Sequence, residues 1–323
     1  MIAALPVAWI TLRYGYESFM THFFISALTM QYLWPHNGFR TQMNTSSPAS
    51  APALRDVAVL VGDVHASRKI DATERARLQE RLRRVLGDLE GLLRRDGLVP
   101  GAPAPLATRL ALTGGDEFQG VFREPAAVVV VVREVAERLH PHGVRFGLGR
   151  GPVTTPWADH PAEMDGPAFH RARAAVDAAK ARRALLVARG FGDPWDDTLT
   201  ALFHLDGAVR ARWTKRQLEY VWAVRWHLPG PADVPPEDTS RDLLRILAAP
   251  AEAGGGRDPF RGAQRPAAER LGIAPATLSR GLRAAGFDAV TSAEHAAVRL
   301  LAHLAGRAPA PSSPPSPAPG DRP

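Results

Sequence analysis

The chain has 323 residues, of which 45% are hydrophobic and 23% charged, values typical of a globular protein with one larger and one smaller domain. It has no cysteine, which excludes disulfides and thiolate metal sites and fits a reducing, cytoplasmic compartment. The formal net charge of +7 favours a polyanionic partner, although most of the excess is arginine, which is also abundant in proteins of GC-rich genomes.

Residues 1–54 differ from the rest of the chain. The first 42 are rich in aromatic residues, and a polar stretch begins at Met43. Arg13, Glu17 and His22 interrupt the apolar run, so neither piece reaches the roughly 18 clean residues of a membrane span. No signal-peptide cleavage pattern follows. We therefore predict a disordered or wrongly assigned extension with the true start at Met43, and no membrane partner.

An alternation of strand and helix patterns predicts an α/β domain over residues 55–192. Apolar runs and leucines at three- and four-residue steps mark its elements. In chain order we predict a strand at 57–61, a helix at 71–95, a strand at 106–112, a turn at 114–117, a strand at 118–122, a helix at 126–140, a strand at 144–148 and a helix at 169–183. The strand–helix–strand–strand–helix–strand order is that of the ferredoxin-like plan.

Composition divides the rest of the chain into four further segments. They are a helical segment at 193–228, a linker rich in proline, glycine and acids at 229–258, an all-α helix-turn-helix domain at 259–306, and a disordered tail at 307–323.

Two aspartates are the first candidate site. Asp63 ends the first predicted strand, and Asp116 lies at the tip of the predicted hairpin. In a ferredoxin-like sheet these positions share one edge, so we expect the carboxylates to converge. Hard oxygen ligands at such a place suit Mg²⁺ or Mn²⁺ with bound phosphates. The alternative is that each aspartate caps a turn, since Gly-Asp is common in turns.

Neighbouring residues are candidate contacts for nucleotide phosphates. Gly62 and Gly115 would let a phosphate approach the backbone closely. The Ser-Arg-Lys run after Asp63 could contact phosphates as well, or it could be a solvated loop. The full set of candidates is Gly62, Ser67, Arg68, Lys69, Gly115, Glu117, His170 and Arg173.

Four short segments carry a resemblance to known families. They read VGDVHASRK at 61–69, TGGDEFQG at 113–120, RFGLGRG at 145–151 and EMDGPAF at 163–169. In order and spacing they resemble the SatD family over roughly residues 55–290. They are more distantly similar to the palm domains of class III nucleotidyl cyclases, whose metal aspartates correspond to Asp63 and Asp116, and the GGDEF string is similar to diguanylate cyclases. Positions 170 and 174 hold His and Ala where the class III cyclases have Asn and Arg, so cyclisation itself is not implied.

The second candidate site lies at residues 265–283, which resemble a helix-turn-helix. Ala268 is small enough for two helices to cross closely, Gly272 makes the tight turn, and Pro275 suits the start of the second helix. The residues predicted to face DNA are Thr277, Ser279, Arg280 and Arg283. The alternative is an ordinary helical hairpin. Because a single unit binds DNA weakly, we expect a homodimer.

Three functions remain open. The first is a regulator in which a nucleotide and Mg²⁺ bias DNA binding. The second is an enzyme that forms a cyclic or transferred nucleotide by two-metal chemistry. The third is a scaffold whose carboxylates are structural. The sequence has no P-loop, zinc-ligand spacing or serine nucleophile elbow that would indicate another activity.

Overall fold

The structure is a computed structural model that describes residues 56–65, 71–99, 101–228, 239–248 and 259–306. Its strands are β1 (Asp56–Val64), β2 (Ala111–Gly114), β3 (Glu117–Phe122), β4 (Val144–Pro152) and β5 (Leu186–Arg189). Its helices are α1 (Ala72–Leu93), α2 (Val128–Arg138), α3 (Pro167–Arg182), α4 (Trp195–Arg210), α5 (Lys215–Arg225), α6 (Arg241–Ala248), α7 (Pro259–Leu271), α8 (Pro275–Ala284) and α9 (Phe287–Ala305).

The strands form one sheet in the order β2-β3-β1-β4-β5. The central β1 runs antiparallel to both neighbours, β3 and β4, whereas β5 joins parallel to β4. Two strand–helix–strand units therefore interleave around β1, as the predicted order of elements requires. The prediction of a mixed α/β fold is confirmed. The sequence prediction lacks β5, because a four-residue apolar run is too short to show a period.

Helices cover both faces of the sheet. In β1, Ala58 and Leu60 face the core that contains α1 and α2, whereas Val57 and Val59 face α3. Glycines in β4 let α3 approach closely, since a Cβ at Gly149 would lie 2.2 Å from the backbone nitrogen of Ala172. The backbone of α3 therefore lies directly on β4, and this contact fixes the side chains that α3 presents at the end of β1.

Five consecutive valines at 128–132 form the first half of α2, although β-branched residues favour strands. All five are at most 1% exposed, so this helix is surrounded by other apolar groups. Helix propensity disfavours valine by only about half a kcal/mol per residue relative to alanine, which is less than the gain from burying each side chain. Burial on all sides therefore outweighs the strand preference of valine and stabilises the helical conformation.

Two predicted segments need correction. The segment 229–258, predicted as a linker, contains α6, which buries Leu243, Leu244 and Ile246. Its apolar run is short and is flanked by residues typical of linkers, so composition alone hides it. The strand predicted at 106–112 is also displaced: β2 begins at Ala111, and before it only Leu106 forms a bridge, to Phe122.

A buried network of charged side chains joins the helices, and no pattern in the sequence predicts it. Its members are Arg133, Glu134, Glu137, Asp206, Arg210, Arg225, Asp242 and Glu294. At its centre, Glu294 of α9 accepts hydrogen bonds from Arg133, Arg210 and Arg225. Burial opposes the charged form of this carboxyl, but the three guanidinium groups hold its pKa below the ordinary value. The network therefore ties α9 to α2, α4 and α5.

The C-terminal helix also contacts the sheet directly. Arg150 of β4 donates a hydrogen bond to the carbonyl oxygen of Leu304 in α9 at 2.7 Å. All described residues belong to one compact unit, so contacts cross the domain boundaries predicted at 192 and 258. The predictions for 1–54 and 307–323 fall outside the described residues.

Within the described residues, we find no helix whose length and hydropathy would suit a membrane span.

Candidate functional site

The end of β1 and the β2–β3 hairpin meet at one edge of the sheet. Asp63 is paired in register with Glu117 of β3, and the N–H of Val64 donates to the carbonyl oxygen of Asp116 at 2.9 Å. Two segments that are far apart in the sequence are therefore held together by backbone hydrogen bonds. Asp63 and Asp116 consequently line one cavity, as the ferredoxin-like arrangement predicts.

The cavity has a volume of about 450 Å³ and receives side chains from four elements. Its lining residues are Asp63, Arg75, Gln79, Gly114, Gly115, Asp116, Glu117 and Lys180. Arg75 and Gln79 are four positions apart, so they project from the same face of α1. Lys180 comes from the last turn of α3, which the glycines of β4 hold against the sheet. Acidic and basic groups therefore face the same space.

The hairpin turn gives the cavity its shape. The register shifts between Leu112 and Gly114, and Gly115 has a φ of 31°, a conformation that glycine adopts without strain. A Cβ at Gly115 would stand 3.4 Å from Nε2 of Gln79. The turn therefore approaches α1 closely while the two acids after it, Asp116 and Glu117, face the cavity.

Two of the carboxylates pair with basic side chains of α3. Nζ of Lys180 lies 2.8 Å from Oδ2 of Asp63. Arg173 makes a two-pronged pair with Glu117 at 2.5 and 2.6 Å, and the hydroxyl of Thr113 donates to the same carboxylate at 3.1 Å. The hydrogen bond from Arg173 is the main reason that the pKa of Glu117 lies below its ordinary value. Glu117 is therefore firmly held as an anion.

The structure brings together only some of the predicted phosphate contacts. Gly115 and Glu117 line the cavity, and Arg173 reaches it through Glu117. His170 does not line it, because its Nε2 lies 2.9 Å from Oδ1 of Asp165 on an exposed face of α3. The predicted residues Ser67, Arg68 and Lys69 lie outside the described residues.

Gly62 needs a correction as a predicted phosphate contact. A Cβ at this position would lie 2.3 Å from the ring of Phe118, so the space over Gly62 is filled by an aromatic side chain of the core. Side chains alternate between the two faces of a strand, and Gly62 faces the side opposite to Asp63. Its role is therefore to make room for Phe118.

Besides Gly114, three lining residues are not among the predicted candidates, and all three carry polar or charged side chains. Arg75 and Gln79 lie on an ordinary polar helix face, where charged residues are usually solvated. A signal does exist for Lys180, because it is one of three lysines in a chain whose other strongly basic side chains are all arginine. Its position beside Asp63 depends on the packing of α3, which the sequence pattern does not reveal.

The second candidate site comprises α7, the turn after it and α8. Gly272 in the turn has a φ of 64°, and Ala268 of α7 is fully buried. Leu278 and Leu282 of α8 pack in a core shared with α5. Of the residues predicted to face DNA, Arg280 and Arg283 are exposed. Thr277 and Ser279 are half-buried rather than fully outward, and Arg280 donates to the hydroxyl of Thr277 at 3.4 Å.

Among the described residues no group of three or more His, Cys, Asp or Glu side chains is arranged to hold a metal ion. The cavity therefore offers a divalent ion the two predicted aspartates, beside a glutamate that Arg173 already holds.

Together these features define a mixed α/β protein with a charged cavity at one sheet edge and a helical C-terminal region. The model of the SatD family matches residues 57–224, and the chain belongs to that family. The predicted membership is thus confirmed, although the match ends before α6, α7 and α8.

The chain is also similar to two solved structures of bacterial light-regulated adenylyl cyclases. One has a TM-score of 0.32 and 16% sequence identity, and the alignment covers 42% of this chain and 77% of that one. The other has a TM-score of 0.31 and 13% identity, and covers 58% of this chain and 57% of that one. No curated protein matches the chain.

Proposed function

We propose that this protein is a regulator that binds nucleotide phosphates together with Mg²⁺ in the cavity and binds DNA through α7 and α8. The observation that carries the nucleotide site is the convergence of Asp63, Asp116 and Lys180 on one space of about 450 Å³. A cavity of this size holds a small ligand, and its mixed charge suits a metal–phosphate complex better than an apolar molecule.

The residues of the cavity fit Mg²⁺ in one particular way. Mg²⁺ keeps several waters and is usually bound by one or two carboxylates plus substrate phosphates, rather than by a cage of protein ligands. Asp63 and Asp116 supply two such carboxylates. They would hold the ion, and the ion would neutralise charge on the phosphates. Lys180 and Arg75 would donate hydrogen bonds to the phosphate oxygens.

Calorimetry on the full-length protein tests this site. We expect ATP or GTP with Mg²⁺ to bind, and the double variant Asp63→Asn/Asp116→Asn to weaken binding at least tenfold. The control Asp88→Asn removes the charge of a carboxylate outside the cavity, one that pairs with Arg138, and should bind as the parent does. Unchanged affinity in the double variant, or no binding to the parent, would refute the site. Turnover that disappears in the double variant would assign an enzyme instead of a sensor.

The proposal of DNA binding rests on the exposed basic helix α8. It follows a tight turn at Gly272 and packs across α7 and α5 in a three-helix unit. In a helix-turn-helix the second helix of the motif enters the major groove, and its exposed side chains contact bases and phosphates. Arg280 and Arg283 are exposed on α8 and would make these contacts.

The surrounding surface has the charge that such a role requires. Its exposed basic side chains are Arg212, Lys215, Arg216, Arg265, Arg270, Arg280 and Arg283. Residues 212–226 and 259–284 contain two acids, Glu219 and Glu269. Tyr220 connects α5 to α8, because a Cβ at Gly281 would lie 2.4 Å from its ring, and Arg216 lies over that ring at 5.2 Å. The start of α5 is therefore placed beside α8, where it could contact phosphates.

Fluorescence anisotropy with duplex DNA tests this proposal. We expect Arg280→Ala/Arg283→Ala to weaken binding by about tenfold or more and to reduce the salt dependence by about one unit for each lost phosphate contact. The control Arg83→Ala/Arg84→Ala removes the same charge from an exposed face of α1 and should change binding little. Equal losses in both double variants would mean that only net charge matters, and the assignment of α8 would fail.

A further inference from the structure

We infer that metal and phosphate bind in the cavity as a linked pair, because Lys180 must move from Asp63 to a phosphate before Asp63 can ligate the ion. This inference rests on the proposed phosphate site and specifies its regulation. Lys180 then affects the binding of both ligands. Its side chain competes with a metal that binds without phosphate, and it assists a metal that binds together with phosphate.

The competition follows from the position of the ammonium group. Nζ of Lys180 lies 2.8 Å from Oδ2 of Asp63, the distance of a charge-assisted hydrogen bond. A divalent ion on the same carboxylate would stand beside this positive charge, so the two cations repel one another and compete for Asp63. Lys180 can leave, because its side chain is 38% exposed and carries its charge on a flexible four-carbon stem.

The carboxylate of Glu117 is not a more available metal ligand than that of Asp63. Arg173 holds both of its carboxylate oxygens, and Thr113 donates to one of them as well. A planar guanidinium in this geometry is more firmly fixed than a single ammonium contact. A metal without phosphate therefore meets an Asp63 that Lys180 occupies and a Glu117 that Arg173 holds.

Charge balance favours the joint arrival of the two ligands. The charged side chains that line the cavity, together with the Arg173 that pairs with Glu117, are three acids and three bases, namely Asp63, Asp116 and Glu117 against Arg75, Arg173 and Lys180. A divalent ion alone would leave this balanced set with excess positive charge, and a polyphosphate alone would leave it with excess negative charge. The ion offsets two of the negative charges that the polyphosphate brings, so each ligand lowers the electrostatic cost of binding the other. Once phosphate is present, Lys180 exchanges its carboxylate partner for a phosphate oxygen, and Asp63 becomes available to the ion.

Two separate binding measurements on the full-length protein test this mechanism. Mn²⁺ alone is titrated by the loss of its free electron paramagnetic resonance signal, and inorganic triphosphate alone is titrated by calorimetry. We expect Lys180→Gln to have effects of opposite sign: Mn²⁺ should bind at least threefold tighter, and metal-free triphosphate about tenfold weaker. Lys180→Arg, which keeps the charge, should retain triphosphate binding and weak Mn²⁺ binding.

The matched control is Arg182→Gln, which removes one positive charge from an exposed position two residues along the chain. It should change either affinity less than twofold. If Lys180→Gln leaves Mn²⁺ binding unchanged or weakens it, while the parent still binds triphosphate, the linkage is wrong and the phosphate site stands. If the parent binds neither triphosphate nor a magnesium nucleotide, the proposed function itself fails. Thermal unfolding of each variant shows whether the fold is intact.

Discussion

Glu117 and Arg173 show how a single pair sets the character of the cavity. Glu117 sits directly after Asp116 and could in principle be a third metal ligand, yet its two oxygens are taken by one guanidinium. Because this interaction stabilises the anion, the carboxyl stays charged to lower pH than an ordinary glutamate, as its lowered pKa indicates. The oxygens of Glu117 therefore bind Arg173 of α3 rather than a ligand.

Replacement of Arg173 tests this role. In Arg173→Ala, the pKa of Glu117 should rise toward the ordinary glutamate value, because the hydrogen bond that lowers it is lost. Carbon-13 titration of the Glu117 carboxyl measures the change. The pair is half-exposed, so the free energy of unfolding should fall by about 1 kcal/mol at most. Arg84→Ala, which removes an exposed partner of Glu80, is the control. A Glu117 pKa that does not move would show that Arg173 is not its stabilising partner.

Glu294 is the residue on which the buried network depends. Removing its charge leaves Arg133, Arg210 and Arg225 buried with fewer acceptors, so we expect Glu294→Gln to lower the free energy of unfolding by about 3 kcal/mol. Urea denaturation measures the difference. Glu80→Gln removes an exposed partner of Arg84 and should cost well under about 1 kcal/mol. Similar costs for the two variants would contradict the importance of the network.

At the scale of elements, the position of the site depends on how α3 lies against β4. Sequence patterns predict β1, α1, β3 and α2 because each has a long enough apolar run or a clear helical period. The glycines at 147 and 149 and the helix predicted at 169–183 are visible in the sequence as well, but the contact between them is not. Lys180 and Arg173 therefore could not be placed beside their carboxylate partners from the sequence, although Asp63 and Asp116 could be brought to one edge.

A glycine substitution tests this contact. In Gly149→Ala the new methyl group would meet the backbone of Ala172 at 2.2 Å, so α3 must shift and the free energy of unfolding should fall by about 2 kcal/mol or more. Gly87 lies on the exposed side of α1, and a Cβ there would have no neighbouring atom within 4 Å. Gly87→Ala should therefore raise the free energy of unfolding by about 0.5–1 kcal/mol. Chemical denaturation of the two variants should give opposite signs. A tolerated Gly149→Ala would refute the close approach of α3.

At the scale of the whole molecule, the buried network joins the C-terminal helices to the α/β domain in a single compact unit. Arg133 and Asp242 are 109 positions apart and pair inside the protein. Single-sequence patterns assign charged residues to the surface, and no local period connects such distant partners. This is why the domain boundaries predicted at 192 and 258 follow composition, whereas the contacts run across them.

The network should make the protein sensitive to acid. The pKa values of Glu294 and Asp242 lie below their ordinary values of 4.5 and 3.8, so their stabilisation is complete above those values and is lost as the pH falls below them. Burial raises the pKa of Asp206, which acts in the opposite direction. Because Glu294 and Asp242 together outweigh Asp206, the melting temperature should fall steeply below about pH 4.5. A melting temperature that is flat down to about pH 3 would contradict a charged network.

The central claim is that Asp63 and Asp116 hold one divalent ion together with the phosphates of a nucleotide. The most direct measurement is a crystal structure of the full-length protein grown with Mn²⁺ and a non-hydrolysable nucleotide, with data collected at a wavelength where manganese scatters anomalously. We expect one anomalous peak about 2.1 Å from an oxygen of each aspartate, with Nζ of Lys180 turned to a phosphate. A nucleotide bound elsewhere, or Lys180 still on Asp63 with no peak beside it, would contradict the claim.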